Sequence, residues 1–244
     1  MDYTAVNIFV PTYKRPKWLK RFIESALDCC DLKKQIYFTF LVNQDDADSD
    51  RVLRFYNRRK NFKVLKNEWD TTGDNPSVSK YYNQCYKQTP FNAPGVCVSM
   101  FGDDMVFESK GFDTRFLEAV NKANGYTVAY GDDCYIQHQS MCVHMVTTRE
   151  MVEATNRPFM CELFQAQAID TVWYLVCKAT GLLSYLPDVK VHHYHNSALP
   201  PEERDETFAR LQDVTLSYAA RKPLLSKHID YIISQLRQKG IARA

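Results

Sequence analysis

Two adjacent carboxylates at the end of an apolar run are the residues of this chain best suited to chemistry. Residues 96–107 read VCVSMFGDDMVF, so the run ends at Gly102, Asp103 and Asp104. Neighbouring carboxylates repel each other, and a cation or hydrogen-bond donors must offset that repulsion when they fold together. Their oxygen atoms suit Mg²⁺ or Mn²⁺ carrying a phosphate. The alternative is a polar turn after a strand, because Gly-Asp is common in turns.

Three of the six histidines fall within four positions, at His192, His193 and His195. On a strand, His193 and His195 would share one face and His192 would point away from them. Such a pair beside two aspartates predicts metal ligands, and a mixed Asp and His donor set favours Mn²⁺ over Mg²⁺. The alternative is that these histidines pack or cap locally.

Polar clusters follow four predicted strands, at the positions where ligands bind in an open α/β sheet. Lys14 and Arg15 would offer positive charge to a diphosphate, unless they belong to a solvated helix face. Tyr13 could stack on a base, and Asp45 or Asp46 could accept hydrogen bonds from a base or ribose. The clusters are Thr12–Arg15, Asn43–Asp46, Gly102–Asp104 and His192–His195.

Asp170 lies among apolar residues in a helix predicted over residues 162–180. Burial raises the pKa of a carboxyl group, and a raised pKa suits a general base. The alternative is an exposed helix position without a chemical role.

The elements that must position these residues alternate between strands and helices. A strand at 5–10, a helix at 16–28 and a strand at 36–42 form a βαβ unit, which is right-handed in nearly all proteins. Further strands are predicted at 62–65, 96–100, within 126–147 and at 183–191. Further helices are predicted at 51–60, from Pro76 (with Asn75 as N-cap) to about 89, at 111–124, after Thr148 and at 162–180.

Composition and length indicate an ordinary globular protein. The chain has 244 residues, 45% of them hydrophobic and 25% charged, and a net charge of +2 neither requires nor excludes a polyanionic partner. The eight cysteines form no C-x-x-C pair, and no secretion signal or membrane-spanning run is evident, so we predict a cytoplasmic location. We predict one domain over residues 1–200 and a helical C-terminal extension over 201–244, packed on it or projecting from it.

Taken together and in order, the motifs over about residues 5–210 resemble nucleotide-sugar-dependent glycosyltransferases of the GT-A fold, similar to family-two enzymes. The segments that carry this resemblance are IFVPTYKRP at 8–16, Gly-Asp-Asp at 102–104 with GFDTRFLEAV at 111–120, AIDTVW at 168–173, PDVKVHHYH at 187–195 and DETF at 205–208. The resemblance implies an α/β, Rossmann-like GT-A fold. Such a fold has a mixed central sheet flanked by helices, here with a helical C-terminal appendage.

The resemblance also implies roles for individual residues. Asp104 would bind Mn²⁺ or Mg²⁺ on the diphosphate, with His193 or His195 completing the metal site. Asp170 would deprotonate the acceptor hydroxyl in an inverting displacement. The remaining contacts to a nucleotide-sugar donor, most simply a UDP-sugar, would come from Pro11, Thr12, Tyr13, Arg15, Asp45, Asp46 and Asp103.

Two positions depart from the family pattern. Gly102 stands where a full DxD motif has its first Asp, and Ile169 precedes Asp170 where many relatives have another acid. A nucleotidyltransferase that makes nucleotide sugars is an alternative, although its usual Gly-rich phosphate loop is missing from the first turn. A non-catalytic nucleotide or nucleic-acid binding module is another.

The acceptor is left open by the sequence. The run from Arg51 to Lys66 holds seven Lys or Arg residues and no acid, and the C-terminal tail is also basic. Clustered cations of this kind can follow a nucleic-acid backbone, or they can form solvated helix faces. The candidate acceptors are a hydroxymethylated base in phage DNA, a glycan and a small molecule.

Overall fold

The computed structural model describes residues 2–67, 77–163, 169–195, 199 and 215–242, with side chains in the last range from Lys222 onward. Its strands form one mixed sheet in the order β3-β2-β1-β4-β7-β6-β8-β5. The strands are β1 (Ala5–Thr12), β2 (Ile36–Val42), β3 (Phe62–Lys66), β4 (Val96–Met100), β5 (Met105–Phe107), β6 (Val128–Asp132), β7 (Met145–Thr147) and β8 (Leu183–His193).

Seven α-helices of the described residues flank this sheet. They are α1 (Pro16–Cys29), α2 (Ala47–Tyr56), α3 (Val78–Gln88), α4 (Phe112–Lys122), α5 (Arg149–Ala154), α6 (Ile169–Thr180) and α7 (Thr215–Gln238). The predicted α/β architecture, with a mixed sheet between helices, is therefore confirmed.

The direction of the strands decides which residues meet. Strands β3, β2, β1 and β4 pair in parallel, and β7 runs antiparallel to both β4 and β6. Strand β8 is parallel to β6, so the carboxyl ends of β1, β2, β4, β6 and β8 all lie at one edge of the sheet. The four predicted polar clusters share that edge.

Each face of the sheet carries its own hydrophobic core. Successive side chains of a strand point to opposite faces, so Ile8 and Val10 of β1 pack with α1 and α4, whereas Phe9 packs on the other side. The second core is covered by α3, α5, α6 and α7, and Leu225 and Leu236 of α7 are buried in it. Residues 201–214 are outside the described ranges, and the domain boundary at residue 200 stays a prediction.

Three predicted helix starts are wrong, two of them because a side chain caps the helix at another residue. Asp46 accepts a hydrogen bond from the Ser49 amide, so α2 begins four residues before the predicted position. Ser77 caps α3 through the Lys80 amide, whereas the predicted cap at Asn75 lies outside the described residues. Residues 162–163 form a turn, and α6 runs from Ile169 to Thr180, which places Asp170 in its first turn.

All eight cysteines lie in the described residues and are free. Seven of them are buried, and Cys134 is half-buried. Burial raises the pKa of several of these thiols, including Cys30 to about 11, so they act as packing residues. Among the described helices, none combines the length and apolar character needed to cross a bilayer.

Candidate active site

The Asp103–Asp104 pair lies at the carboxyl end of β4 and is held by the turn after β1. Arg15 donates from Nη1 to Asp103 Oδ1 at 2.9 Å and to Asp104 Oδ2 at 3.1 Å. Thr12 Oγ1 donates to the second oxygen of Asp103 at 2.7 Å. These contacts join two strand ends that the sequence placed at one edge, and they supply the cation that two neighbouring carboxylates require.

The two carboxyl groups are in different electrostatic environments. Burial raises the pKa of Asp103 to about 6, although Arg15 opposes that shift. Burial would also raise the pKa of Asp104, but the charges of His193 and Arg15 outweigh it and hold that pKa below its usual value. Asp104 is therefore the carboxylate that stays ionised most readily, which is what a metal ligand must do.

His193 faces Asp104 from the end of β8. Its Nε2 lies 3.5 Å from Asp104 Oδ1. Ligand atoms about 2.1 Å from one ion stand roughly 3–4 Å apart, so this separation fits a shared divalent metal. Two protein ligands are enough when substrate phosphates and water supply the others. The donor set thus fits Mn²⁺ or Mg²⁺.

His195 is the second predicted metal ligand, and its imidazole lies beside that of His193. The two ring centroids are 5.5 Å apart, and His195 also stacks on Tyr135 at 6.3 Å. Burial and the neighbouring His193 lower the pKa of His195, which keeps its imidazole neutral and able to bind a metal. Both histidines therefore stay candidates.

The nucleoside candidates divide into one exposed and one buried acid. Asp45 is half exposed, accepts a hydrogen bond from Tyr13 at 3.0 Å and pairs with Lys14 at 3.7 Å. Asp46 is buried, and its two oxygens accept from the backbone amides of Ser49 and Lys14. Because Asp46 is committed to capping α2 and fixing the turn, Asp45 is the acid available to a ligand.

Pro11 belongs to β1, where it pairs with Leu41. The predicted end of that strand at Val10 is two residues too early. Pro11 is half-buried and is followed by Thr12, the last residue of β1, and by the turn that carries Arg15.

Asp170 is half-buried at the start of α6. Burial raises its pKa, while the amides of Thr171 and Asp170 itself and the charge of His193 oppose that shift. Asp103, Asp104 and Asp170 each raise the pKa of the buried Tyr82 phenol further, after burial itself. Asp170 is therefore near the same phenol as the carboxylate pair.

Tyr82 and Tyr194 fix the site, and sequence reasoning missed both roles. The Tyr82 hydroxyl, in α3, donates to the Phe101 carbonyl at 2.7 Å, just before the Gly-Asp-Asp sequence. Tyr194 donates its amide to the Asp104 carbonyl at 3.0 Å. Its hydroxyl accepts from Arg21 of α1 at 2.8 Å, which ties the strand of His193 to that helix.

A second Gly-Asp-Asp sequence, residues 131–133, lies at the same edge and was also missed. Asp132, Asp133 and His138 are the one group of three ligand atoms within 4.8 Å of one another in the described part of the chain. Asp132 Oδ1 already accepts from the Cys134 amide and lies 2.8 Å from His138 Nδ1. An identical tripeptide after an apolar strand was the available signal.

The comparisons with known proteins match this chain by structure only. No protein-family model and no curated protein sequence matches it. TarS 1-349 from S. aureus, solved in complex with UDP, aligns over 97% of this chain and 92% of its own, with a TM-score of 0.59 and 13% identity. In a structure of TarS that covers a longer chain, the match spans 77% of this chain but only 36% of that one, at 15% identity.

A mannosyltransferase, PcManGT from Pyrobaculum calidifontis, was solved in complex with GDP-Man and Mn²⁺. It aligns over 99% of this chain and 76% of its own, with a TM-score of 0.61 and 11% identity. Both similar proteins share the sheet and its helices with this chain at low identity. The chain therefore has the GT-A-like α/β fold also seen in TarS and in this mannosyltransferase.

Proposed function

We propose that this protein is a metal-dependent glycosyltransferase that moves a sugar from a nucleoside diphosphate to an acceptor hydroxyl. The observation that carries the proposal is the position of Asp104 between Arg15 and His193, at the sheet edge where this fold binds ligands. A carboxylate, an imidazole and a guanidinium at one point suit a diphosphate and its metal. TarS and PcManGT, which share the fold, were solved with UDP and with GDP-Man and Mn²⁺.

In this proposal the turn after β1 holds the donor. Tyr13 and Asp45 bind the nucleoside, with Pro11 and Thr12 shaping the turn beneath it. Arg15 and Asp104 lie at the diphosphate, and Asp103 contacts ribose or sugar. Asp46 supports the turn from below, since both of its oxygens accept backbone amides.

Catalysis then depends on charge at the leaving group and a base at the acceptor. Asp104, with His193 or His195, would hold Mn²⁺ or Mg²⁺, which would supply positive charge to the leaving diphosphate. Asp170, whose pKa burial raises, accepts the proton of the acceptor hydroxyl on the opposite side of the sugar. Attack from that side inverts the configuration at the anomeric carbon.

The other two readings have less support from the site. A nucleotidyltransferase would need a cradle for a nucleoside triphosphate, and the first turn offers Thr12, Tyr13 and Arg15 without a glycine. A binding module would have no use for Asp170, a carboxyl group whose pKa is raised by burial, near the diphosphate site. Measurement of sugar transfer from a nucleotide-sugar donor to an acceptor decides between these functions.

The acceptor remains a glycan, a small molecule or a hydroxymethylated base in phage DNA. Within the basic run, Arg51 and Arg54 pair with Asp48 and Asp50 of their own helix. Lys66 also pairs with Asp50. The cations at 58–60 precede β3, at the sheet edge opposite the donor site. Three of the seven cations are therefore paired with acids and three lie at the opposite edge, which gives little support to a DNA acceptor.

A thermal-shift panel of UDP-sugars and GDP-mannose, with Mn²⁺, with Mg²⁺ and with EDTA, tests the proposal. A donor at about a hundred times its dissociation constant stabilises the fold by roughly 2.7 kcal/mol, about 5–10 °C for a chain of this size. We expect one donor to give such a shift with metal and a much smaller one in EDTA. The donor so identified is then used to screen acceptors, with product stereochemistry read by NMR.

Flat curves for every donor would contradict the proposal. A donor shift with turnover that persists in Asp170→Asn would leave the glycosyltransferase in place and remove Asp170 as its base. The proposed cytoplasmic location is tested separately, by fractionation of cells that express the full chain.

A further inference from the structure

Arg15 is the positive charge enclosed with the carboxylate pair. Its side chain is 13% exposed, and the side chains of Asp103 and Asp104 are 5% and 14% exposed. One guanidinium nitrogen bridges the two carboxylates. The neighbouring Lys14 is 54% exposed and forms an ion pair with Asp45, which is not part of the carboxylate pair. One particular side chain therefore offsets part of the negative charge of the enclosed site in advance.

Every oxygen of the pair has a partner in this arrangement. Thr12 and Arg15 take the two oxygens of Asp103, and Arg15 takes Asp104 Oδ2. The remaining oxygen, Asp104 Oδ1, faces His193 at 3.5 Å. A divalent ion at Asp104 and His193 would place two further positive charges beside the guanidinium, and like charges at such short range repel in a partly buried site.

A diphosphate changes this balance because it brings negative charge for both cations. Arginine binds phosphate oxygens through its planar fork, and a divalent metal favours the same oxygens. The metal and the diphosphate therefore each make binding of the other more favourable. The factor by which each tightens the other's binding is the same, because such coupling is reciprocal.

We propose that Arg15 is a resident counter-cation that competes with the divalent metal for Asp104 until a nucleoside diphosphate binds. Metal and nucleotide then bind as a coupled pair, and Arg15 turns to the phosphates. The inference rests on the proposed donor site and adds that its metal and its nucleotide bind together. Arg15 is a positioning residue in the empty site and a ligand of the diphosphate in the filled one.

Titration of Mn²⁺, followed by the electron paramagnetic resonance signal of the free ion, tests this inference with and without UDP or GDP. In the wild-type protein we expect the nucleotide to tighten Mn²⁺ binding at least about tenfold. Arg15→Gln should bind Mn²⁺ alone about tenfold tighter than wild type, because the competitor is gone. The factor by which the nucleotide tightens Mn²⁺ binding should be correspondingly smaller in this variant. Lys17→Gln, which removes an exposed cation two residues away at the start of α1, should resemble wild type.

Equal or weaker Mn²⁺ binding by Arg15→Gln would overturn the competition, even when wild type binds nucleotide with metal. Wild-type protein that binds neither Mn²⁺ nor nucleotide would remove the donor site itself, so the two failures are distinct. Mn²⁺ binding that survives Asp104→Asn in the Arg15→Gln background would place the ion elsewhere and also overturn the proposal.

Arg15→Gln leaves two buried carboxylates without their cation, so its folding needs its own measurement. We expect its melting temperature to fall in EDTA and to rise with Mn²⁺ more than that of wild type. Arg15→Lys keeps one charge without the fork, and its Mn²⁺ affinity should lie between the two. Wild-type affinity in a folded Arg15→Lys, together with no Mn²⁺ rescue of Arg15→Gln, would count against the proposal.

Discussion

The two Gly-Asp-Asp sequences of this chain end parallel strands at one edge of the sheet, yet they are used differently. Residues 102–104 face outward to other elements: Asp103 and Asp104 contact Arg15, and Asp104 faces His193. Residues 131–133 face their own loop. Asp133 is buried and accepts from the amides of residues 135, 137 and 138, at 3.4, 3.2 and 2.7 Å.

The difference shows that the tripeptide itself does not decide its chemistry. A carboxylate saturated by backbone amides organises a loop, whereas one held by a side-chain cation can exchange that cation for a ligand. The second sequence still serves the first, because the Asp133 carbonyl accepts the His193 amide at 3.0 Å. One acid pair is thus available for binding, and the other supports the strand that carries the facing histidine.

The largest effect expected from this comparison is on catalysis. Asp104→Asn should lower donor turnover about 10²–10³-fold, because the metal loses its carboxylate where charge develops on the leaving group. Asp132→Asn should stay within a few-fold of wild type. Release of the nucleoside diphosphate from the best donor measures both. Equal losses in the two variants would erase the distinction between the acid pairs.

The two glycines should separate stability from binding. A Cβ at Gly131 would lie 2.1 Å from the Val189 carbonyl oxygen, a backbone atom of β8, so Gly131→Ala should cost about 3 kcal/mol or prevent folding. A Cβ at Gly102 would meet Asp104 Oδ1 at 2.6 Å, a side-chain atom that can move. Gly102→Ala should cost about 1 kcal/mol and lose most of the metal-dependent shift.

Chemical unfolding and Mn²⁺ thermal shifts, measured on the same preparations, check both glycine variants. If Gly102→Ala were instead the less stable protein, the contact between Gly131 of β6 and Val189 of β8 would not be the closer of the two contacts.

Asp133→Asn should destabilise the fold by about 1–3 kcal/mol, since it removes charge from a buried group that accepts three amides. The partly exposed Asp132 is the matched control, and its Asn variant should lose less. Urea unfolding gives both values. An unchanged midpoint for Asp133→Asn would mean that the loop at 134–138 does not depend on this carboxylate.

A further effect is a change in how stability depends on pH. His144 Nε2 accepts the Gly131 amide at 3.1 Å, and burial, helped by the charge of His193, lowers its pKa from 6.5 to about 3. Between these pH values the unfolded chain binds a proton that the native protein does not, so stability falls as the pH falls. One such proton contributes about 1.4 kcal/mol per pH unit.

Asp103 works in the opposite direction, since its pKa is raised in the native protein to about 6. The unfolding free energy of His144→Gln, measured against wild type from pH 7 to 4, isolates the histidine because Asp103 is common to both. We expect the difference between the two unfolding free energies, wild type minus variant, to fall with decreasing pH by about one proton, roughly 1.4 kcal/mol per pH unit. Parallel pH profiles would show that His144 titrates normally.

Sequence reasoning captured the parts of this molecule that local patterns decide. Apolar runs ending in polar residues placed β1, β2 and β4, and strand direction then brought Thr12, Arg15 and Asp104 to one edge. The start of α2 was wrong because Asp46 was read as a ligand candidate and not as a helix cap.

The rest depends on contacts between residues far apart in the chain. Arg15 reaches Asp104 across 89 positions, and Tyr194 binds Arg21 across 173. No local pattern tells which of two identical tripeptides meets a guanidinium and which meets its own loop. That distinction arises from the order of strands in the sheet, where the turn after β1 lies next to the end of β4.

The most direct test of the account is the position of Mn²⁺ in crystals grown with UDP or GDP, read from the anomalous scattering of the ion. We expect one peak between Asp104 and His193 or His195, with Arg15 turned to the phosphates. A peak at Asp132, Asp133 and His138, or a nucleotide bound without metal at Asp104, would contradict it.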